Sequence, residues 1–419
     1  MSDATLADGP PRRGFWPLRD LPVVGWLVAA VALIVARPAV DVPPWLLLHV
    51  LLLGAVSHAI LVWSRHFTDA VLRAAPVNDR RQQSTRLLLL NAGAATVMVG
   101  VLTHRWAATV TGATAVATAV GWHGAALAAQ LRRSLPARFA VTVRYYLFAA
   151  ALLPVGATLG VLLARDSEGE VHERLVVAHA ATNLLGWIGL TVLGTLVTLW
   201  PTILRTQVVE GAERAARKAL PLLVASLLVA VVAALVGVRL ALLAGIAGYL
   251  GGLTVAARPL AREAVRRPPT SYAALSVLAA LSWLAGCLVA LCVAVATAPS
   301  FLVIGDRFGT IAPFLVAGFA VQVLLGALSY LVPMALGGGP TPVRVTAAVL
   351  DAAAHLRVAV VNTGLLVCAL PVPGAVRAAG AAAVVAALAA FLPLLVVGMR
   401  AGRRAKNIPV AERVSGASQ

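Results

Sequence analysis

Residues 174–200 read RLVVAHAATNLLGWIGLTVLGTLVTLW, and Arg174 at the very start is the only charged side chain in the run. About 20 mostly apolar residues suffice to cross a bilayer as a helix. Working outward, eleven further runs of the same character lie near 21–40, 43–63, 87–103, 107–130, 143–164, 218–237, 239–257, 271–298, 309–335, 356–373 and 375–399. Arg239 and Arg377 mark the splits in the two least distinct pairs. The pattern predicts an all-α integral membrane protein with about twelve transmembrane helices. One membrane domain, 21–399, then lies between an N-terminal tail, 1–20, and a C-terminal tail, 400–419.

Composition agrees. Of 419 residues, 60% are hydrophobic and 12% charged, with a mean hydropathy of +0.91. A soluble domain carries about 45–50% apolar and about 25% charged residues. A water-soluble enzyme, a disordered chain and a secreted disulfide scaffold are therefore excluded. The net charge of +18 would suit a nucleic-acid binder, but the basic residues stand in short clusters between apolar runs. The expected partner is the lipid bilayer, and no nucleic acid. Cys287, Cys292 and Cys368 lie inside apolar segments and form neither a disulfide framework nor a CxxC clip.

Basic residues also set the expected orientation. With the N-terminus inside, only Arg37, Arg105, Arg165, Arg174, Arg239, Arg307 and Arg377 fall outside, leaving 27 of 34 on the cytoplasmic side. Such an excess is the positive-inside pattern. It places both termini in the cytoplasm of a cell-membrane protein. Arg12-Arg13 is read as part of this flank rather than as a twin-arginine signal.

An internal repeat adds architecture. Leu193-Gly194-Thr195-Leu196, then Leu199 and Pro201, matches Leu325-Gly326-Ala327-Leu328, then Leu331 and Pro333, at the same spacing. The match extends upstream to Gly186 with Gly318 and Trp187 with Phe319. A third copy pairs Leu53-Gly54-Ala55 and Ser57 with Leu325-Gly326-Ala327 and Ser329, which sets Arg65 against Arg205. Every fourth run carries a copy, so three units of four helices are expected.

Within the runs the ionisable groups are histidines: His49 and His58 in the second, His123 in the fourth, His179 in the sixth, with His66 at a cytoplasmic interface. All sixteen acidic residues fall outside the runs, which counts against a proton-driven carrier. Neutral imidazole suits copper or haem iron. Hydrogen-bonded packing explains single histidines equally well. His49 and His179 each lie roughly 8 Å inside when counted from the outer run ends at about 1.5 Å per residue. Counted from Arg65 and Arg205, they differ in depth by about 15 Å. His49 and His58, nine residues apart, fall on opposite faces of a regular helix. His179, Asn183 and Trp187 share one face, where Asn183 either orients a ligand ring or joins two helices. Tyr145, Tyr146 and Tyr330 suit interfacial anchoring. Gly337-Gly338-Gly339-Pro340 reads as a turn.

Twelve helices in three four-helix arcs resemble subunit I of the haem-copper oxidases and the related NnrS-type membrane proteins. His179, Asn183, Gly186-Trp187, Gly194 and Trp200-Pro201 are similar to that superfamily's sixth helix. His49, Gly54-Ala55 and Trp63-Ser64-Arg65-His66-Phe67 also resemble the membrane part of actinobacterial proteins associated with copper nitrite reductases. The resemblance implies a haem or copper cofactor, with His49, His179, His58, His123 and Asn183 as cofactor-binding residues and His49, His179 and His66 as metal ligands. It implies electron transfer or nitric oxide and copper metabolism, and a copper-containing redox protein as partner. Arg105, Arg165 and Arg174 would be available to haem propionates. No His-Pro-Glu-x-Tyr segment, adjacent His pair or tenth-helix histidine is present, so oxygen reduction is not expected. A small-molecule or metal transporter and a membrane anchor for a copper enzyme are the alternative readings.

Overall fold

The computed structural model describes residues 17–73, 79–165, 168–337 and 339–407. Arg12-Arg13, Gly338 and the outer parts of both tails lie outside the described residues. Those described form helices and no strand. In chain order they are α1 (Pro17–Ala36), α2 (Pro44–Leu72), α3 (Arg80–Leu102), α4 (Trp106–Arg133), α5 (Val141–Leu163), α6 (Gly169–Ile203), α7 (Ala212–Val236), α8 (Arg239–Arg266), α9 (Tyr272–Thr297), α10 (Phe301–Leu336), α11 (Pro340–Ala369) and α12 (Gly374–Lys406). α11 breaks at Asp351–Ala353, where Ala353 takes φ 51°.

Ten of these are long and apolar enough to cross a membrane, which makes the chain an all-α, multi-pass membrane protein. The expectation of twelve is met by length and composition in ten. In α1 the apolar part, Leu21–Ala36, is short. α4 is long, but its threonines and glycines dilute it. Several helices also outrun their apolar runs, so α2 takes in Asp69 and α8 takes in Glu263. Gly237, at φ 78°, ends α7 beside Arg239 as the sequence suggests. The last split falls at Pro371 and Pro373, which cannot continue a helix, rather than at Arg377.

α2, α6 and α10 pack against one another and are the most buried of the ten. Each contains a π-helical stretch: Val50–Val56, Ala181–Gly189 and Leu315–Val321. Such stretches insert a residue into the helical ladder and are frequent at functional sites. Each of the three helices also ends at a residue in the left-handed region: Arg73 at φ 47°, Arg205 at 54° and Gly337 at 60°. These three stand at equal intervals of 132 residues, and so do Gly54, Gly186 and Gly318. Helix two therefore repeats in a different register from the one its Leu-Gly-Ala string suggests. Arg73, not Arg65, is the counterpart of Arg205, and Gly54 is the counterpart of Gly186. Short strings of small apolar residues recur too often in such a chain to fix a register; the helix ends do.

The three glycines share a packing role. A Cβ on Gly54 would come within 2.5 Å of the Trp26 ring of α1, and one on Gly318 within 2.6 Å of the Trp283 ring of α9. At Gly186 the neighbour is Leu152 of α5, at 2.9 Å.

Candidate metal centre

His49 and His179 come together. Their ring centres are 6.0 Å apart with planes 24° from parallel. His49 sits on the last α-helical turn before the π stretch of α2, and His179 two residues before that of α6. Both are half-buried. In the 132-residue register they differ in position by only two residues, and the two rings stand at the same level of the α2–α6 pair.

The Nδ1 atom of each ring is committed. His49 donates to the Trp45 carbonyl at 2.7 Å, and His179 to the Gly156 carbonyl of α5 at 2.9 Å. A ring that donates from Nδ1 carries its lone pair on Nε2. This is the arrangement of metal-bound imidazoles, whose second nitrogen is held by a carbonyl or carboxylate. An ion bonded to one nitrogen of each ring at about 2.0 Å sets ring centres about 6 Å apart when the coordination is linear and about 5 Å apart when it is tetrahedral. Among the described residues no three of His, Cys, Asp and Glu converge.

The wall behind His179 comes from α5. A Cβ on Gly160 would lie 2.9 Å from the imidazole Cε1, and one on Gly156 would overlap the Asn183 amide. Asn183 donates to the His179 carbonyl at 2.8 Å, so it secures the turn that carries the ring. Trp45 packs edge-on to His49 with centres 5.6 Å apart. Deeper in the same interface, Trp187 of α6 donates to Ser57 of α2 at 2.9 Å. The spacing Gly156-x-x-x-Gly160 was the sequence signal for this wall, and its partner became visible only in three dimensions.

The remaining candidates lie elsewhere. His58 donates from Nε2 to the Arg19 carbonyl at 3.0 Å and accepts at Nδ1 from Asn91 at 2.9 Å, so neither nitrogen is left for a metal. The π stretch between His49 and His58 alters the rotation expected of a regular helix, yet the two still serve different neighbours. His123 is paired with the Ser64 hydroxyl at 2.8 Å. His66 is exposed and packs between Trp63 and Phe67. Arg165 lies over the Trp106 ring, and Arg174 pairs with Glu170 at 3.0 Å while covering Phe301. Tyr145 and Tyr146, expected at an interface, are instead buried and donate to or share hydrogens with Ala216 and Thr195.

Asn91 was not singled out from the sequence, and it organises a buried network. Trp26 donates to its oxygen at 2.6 Å while its amide serves His58 and the Leu87 carbonyl. Asn362 of α11 repeats this, accepting from Trp283 at 2.7 Å and exchanging bonds with Gln322 of α10 at 3.2 Å. The signal was present: Arg86 and Arg357 each precede the asparagine by five residues.

No protein-family model matches the chain, and no curated protein matches it.

Proposed function

We propose that this chain is a copper-binding membrane protein in which His49 and His179 hold the ion. The observation that carries the reading is the ring pair itself, with both Nδ1 atoms tied to backbone carbonyls and ring centres 6.0 Å apart. The architecture proposed with it is twelve crossings in three arcs of four, similar to haem-copper oxidase subunit I. The equal intervals between the ends of α2, α6 and α10 and their mutual packing support that plan. The basic ends of the helices then face the cytoplasm of a cell membrane, and the histidine pair lies toward the outer side.

Two imidazoles without a carboxylate suit copper handling or electron transfer with a copper-containing redox partner. The reading does not include oxygen reduction, which the sequence's lack of a His-Pro-Glu-x-Tyr segment and of an adjacent histidine pair does not favour. The ion is preferred to haem because α5 approaches the His179 ring closely at Gly160.

Metal analysis and copper(I) titration of the purified protein test the reading. One ion should bind per chain. His49→Ala and His179→Ala should each abolish it, while His355→Ala, at an exposed position on α11, should not. Retention of copper by both variants, or none bound by the wild type, overturns the assignment. A Soret band lost in both variants would replace the ion with haem iron.

A further inference from the structure

Glu263, in the last turn of α8, is 1% exposed. Its Oε1 accepts from the Val209 amide at 2.9 Å, and Oε2 is buried without a protein partner. The side chain lines an enclosed cavity with Tyr145, Ala212 and Pro259, with about 10 Å³ of room. That is space for about one water. On the other side of Val209 and Ala212, a vestibule of about 140 Å³ opens to solvent among Arg138, Glu210, Glu213 and Arg214. Ala212 borders both spaces, and Val209, which holds Glu263, borders the second.

We propose that Glu263 is a proton-exchange site, reached from water at the basic end of the helices through the vestibule and the Val209–Ala212 wall. The carboxylic acid passes the proton from Oε2 to a water in the enclosed cavity, and from there it leaves past Ala212. The carboxylate that remains keeps its Val209 amide bond. The charged groups around it are Arg266 three residues along α8, Arg138 ahead of α5, and Glu210, Glu213, Arg214 and Arg217 about the vestibule, where Arg217 pairs with Glu213 at 3.4 Å. Tyr145 is the titratable group facing it across the enclosed cavity, and its hydroxyl is already given to the Ala216 carbonyl. The observations join a buried acid, an unpartnered oxygen and two spaces that share a wall. They do not depend on the histidine pair.

Dicyclohexylcarbodiimide is the probe, applied to the full chain in lipid vesicles and read by peptide mass spectrometry. The acid adds across a C=N bond of the reagent: the carboxyl oxygen joins carbon, and its proton goes to nitrogen. Glu263 should be labelled under acid conditions, with labelling falling about tenfold per pH unit once the group ionises. Glu263→Gln should lose the adduct. The carboxylic C=O stretch in the infrared should shift within the mixing time in D2O. In Ala212→Leu, which thickens the wall, that shift should slow. An unlabelled Glu263 in folded protein at every pH, labelling that ignores pH, or a carbonyl that does not exchange would each overturn the proposal. The D2O measurement uses the wild type, so it stands even where Glu263→Gln does not fold.

Discussion

The first four helices and the last four solve the same packing problem in one way, and the middle four in another. In the first, Trp26 leans on Gly54 and donates to Asn91, which serves His58. In the last, Trp283 leans on Gly318 and donates to Asn362, which serves Gln322. His58 and Gln322 are separated by twice the 132-residue interval, and the residue midway between them is Leu190. There the glycine is Gly186, its neighbours are Leu152 and Leu227, and the polar links at that level are Trp187 to Ser57 of α2 and Tyr249 of α8 to the Leu185 carbonyl rather than a tryptophan–asparagine pair. In both outer sets the tryptophan, asparagine and His58 or Gln322 bond one another. The middle four helices have Leu190 at that point and carry His179 and Glu263 elsewhere.

Removing a charge from an outer unit should break this contrast most severely. Arg86 is 1% exposed and donates to Asp79 at 2.8 Å, and Arg65 lies 3.8 Å from the same carboxylate. Deleting one partner of a buried pair costs about 3–5 kcal/mol, because the other charge stays behind. Arg86→Ala should lower the unfolding midpoint in detergent titration by that amount. Arg86→Ala combined with Asp79→Ala should recover part of it. An Arg86→Ala protein as stable as the wild type would mean that the pair is solvated.

The glycines grade the same comparison. Alanine at Gly54 or Gly318 presses on a tryptophan ring fixed by its bond to asparagine, where over-packing costs about 1–3 kcal/mol. At Gly186 the nearest atom is the end of the Leu152 side chain, which can turn away. Gly54→Ala and Gly318→Ala should therefore destabilise alike, and Gly186→Ala by less. Equal losses at all three would show that the middle unit is packed as rigidly as the others.

Much of this was legible in the chain because hydrophobicity is local. The apolar runs located the helices to within a turn or so at most ends, and run length alone placed His49 and His179 at matching depth. Register was not legible. Leu53-Gly54-Ala55 looks like Leu325-Gly326-Ala327, yet the equivalence of α2 and α10 is fixed by Arg73 and Gly337, whose left-handed backbone ends the helices. The π stretches were also silent, since no residue type demands one. Asn91 and Asn362 are lone uncharged amides inside apolar runs and Glu263 lies six residues past the end of one, so none of them stands out in the sequence. Only tertiary packing shows that each is buried or bonded.

A smaller effect should follow from altering the wall behind the histidine pair. Gly160→Ala places a methyl group against the His179 ring, which must tilt away from the Gly156 carbonyl. Loss of such a supporting bond typically costs about 10–100-fold in metal affinity. Copper(I) affinity should fall at least to the lower end of that range with little change in the unfolding midpoint. An unchanged affinity would leave α5 as packing and nothing more. An equal loss in stability would mean that the methyl disturbs the helix pair rather than the ring.

The smallest effect is expected at Lys218, a basic residue near the start of α7 as Arg86 is near the start of α3. Lys218 lies 132 residues after Arg86, at the corresponding end of α7, but it is exposed. The residue five further on, Asn91 in α3, is Leu223 in α7, so the lysine has no buried polar network to anchor. Its long stem reaches water, where a charge is solvated at little cost. Surface substitutions of this kind stay within about 0.5 kcal/mol of the wild type. Lys218→Ala should leave the unfolding midpoint unchanged in the titration that registers Arg86→Ala strongly. A loss above about 1 kcal/mol would exceed what an exposed ion pair supplies. It would mean that Lys218 holds a buried partner as Arg86 does, and that the middle unit is built like its neighbours.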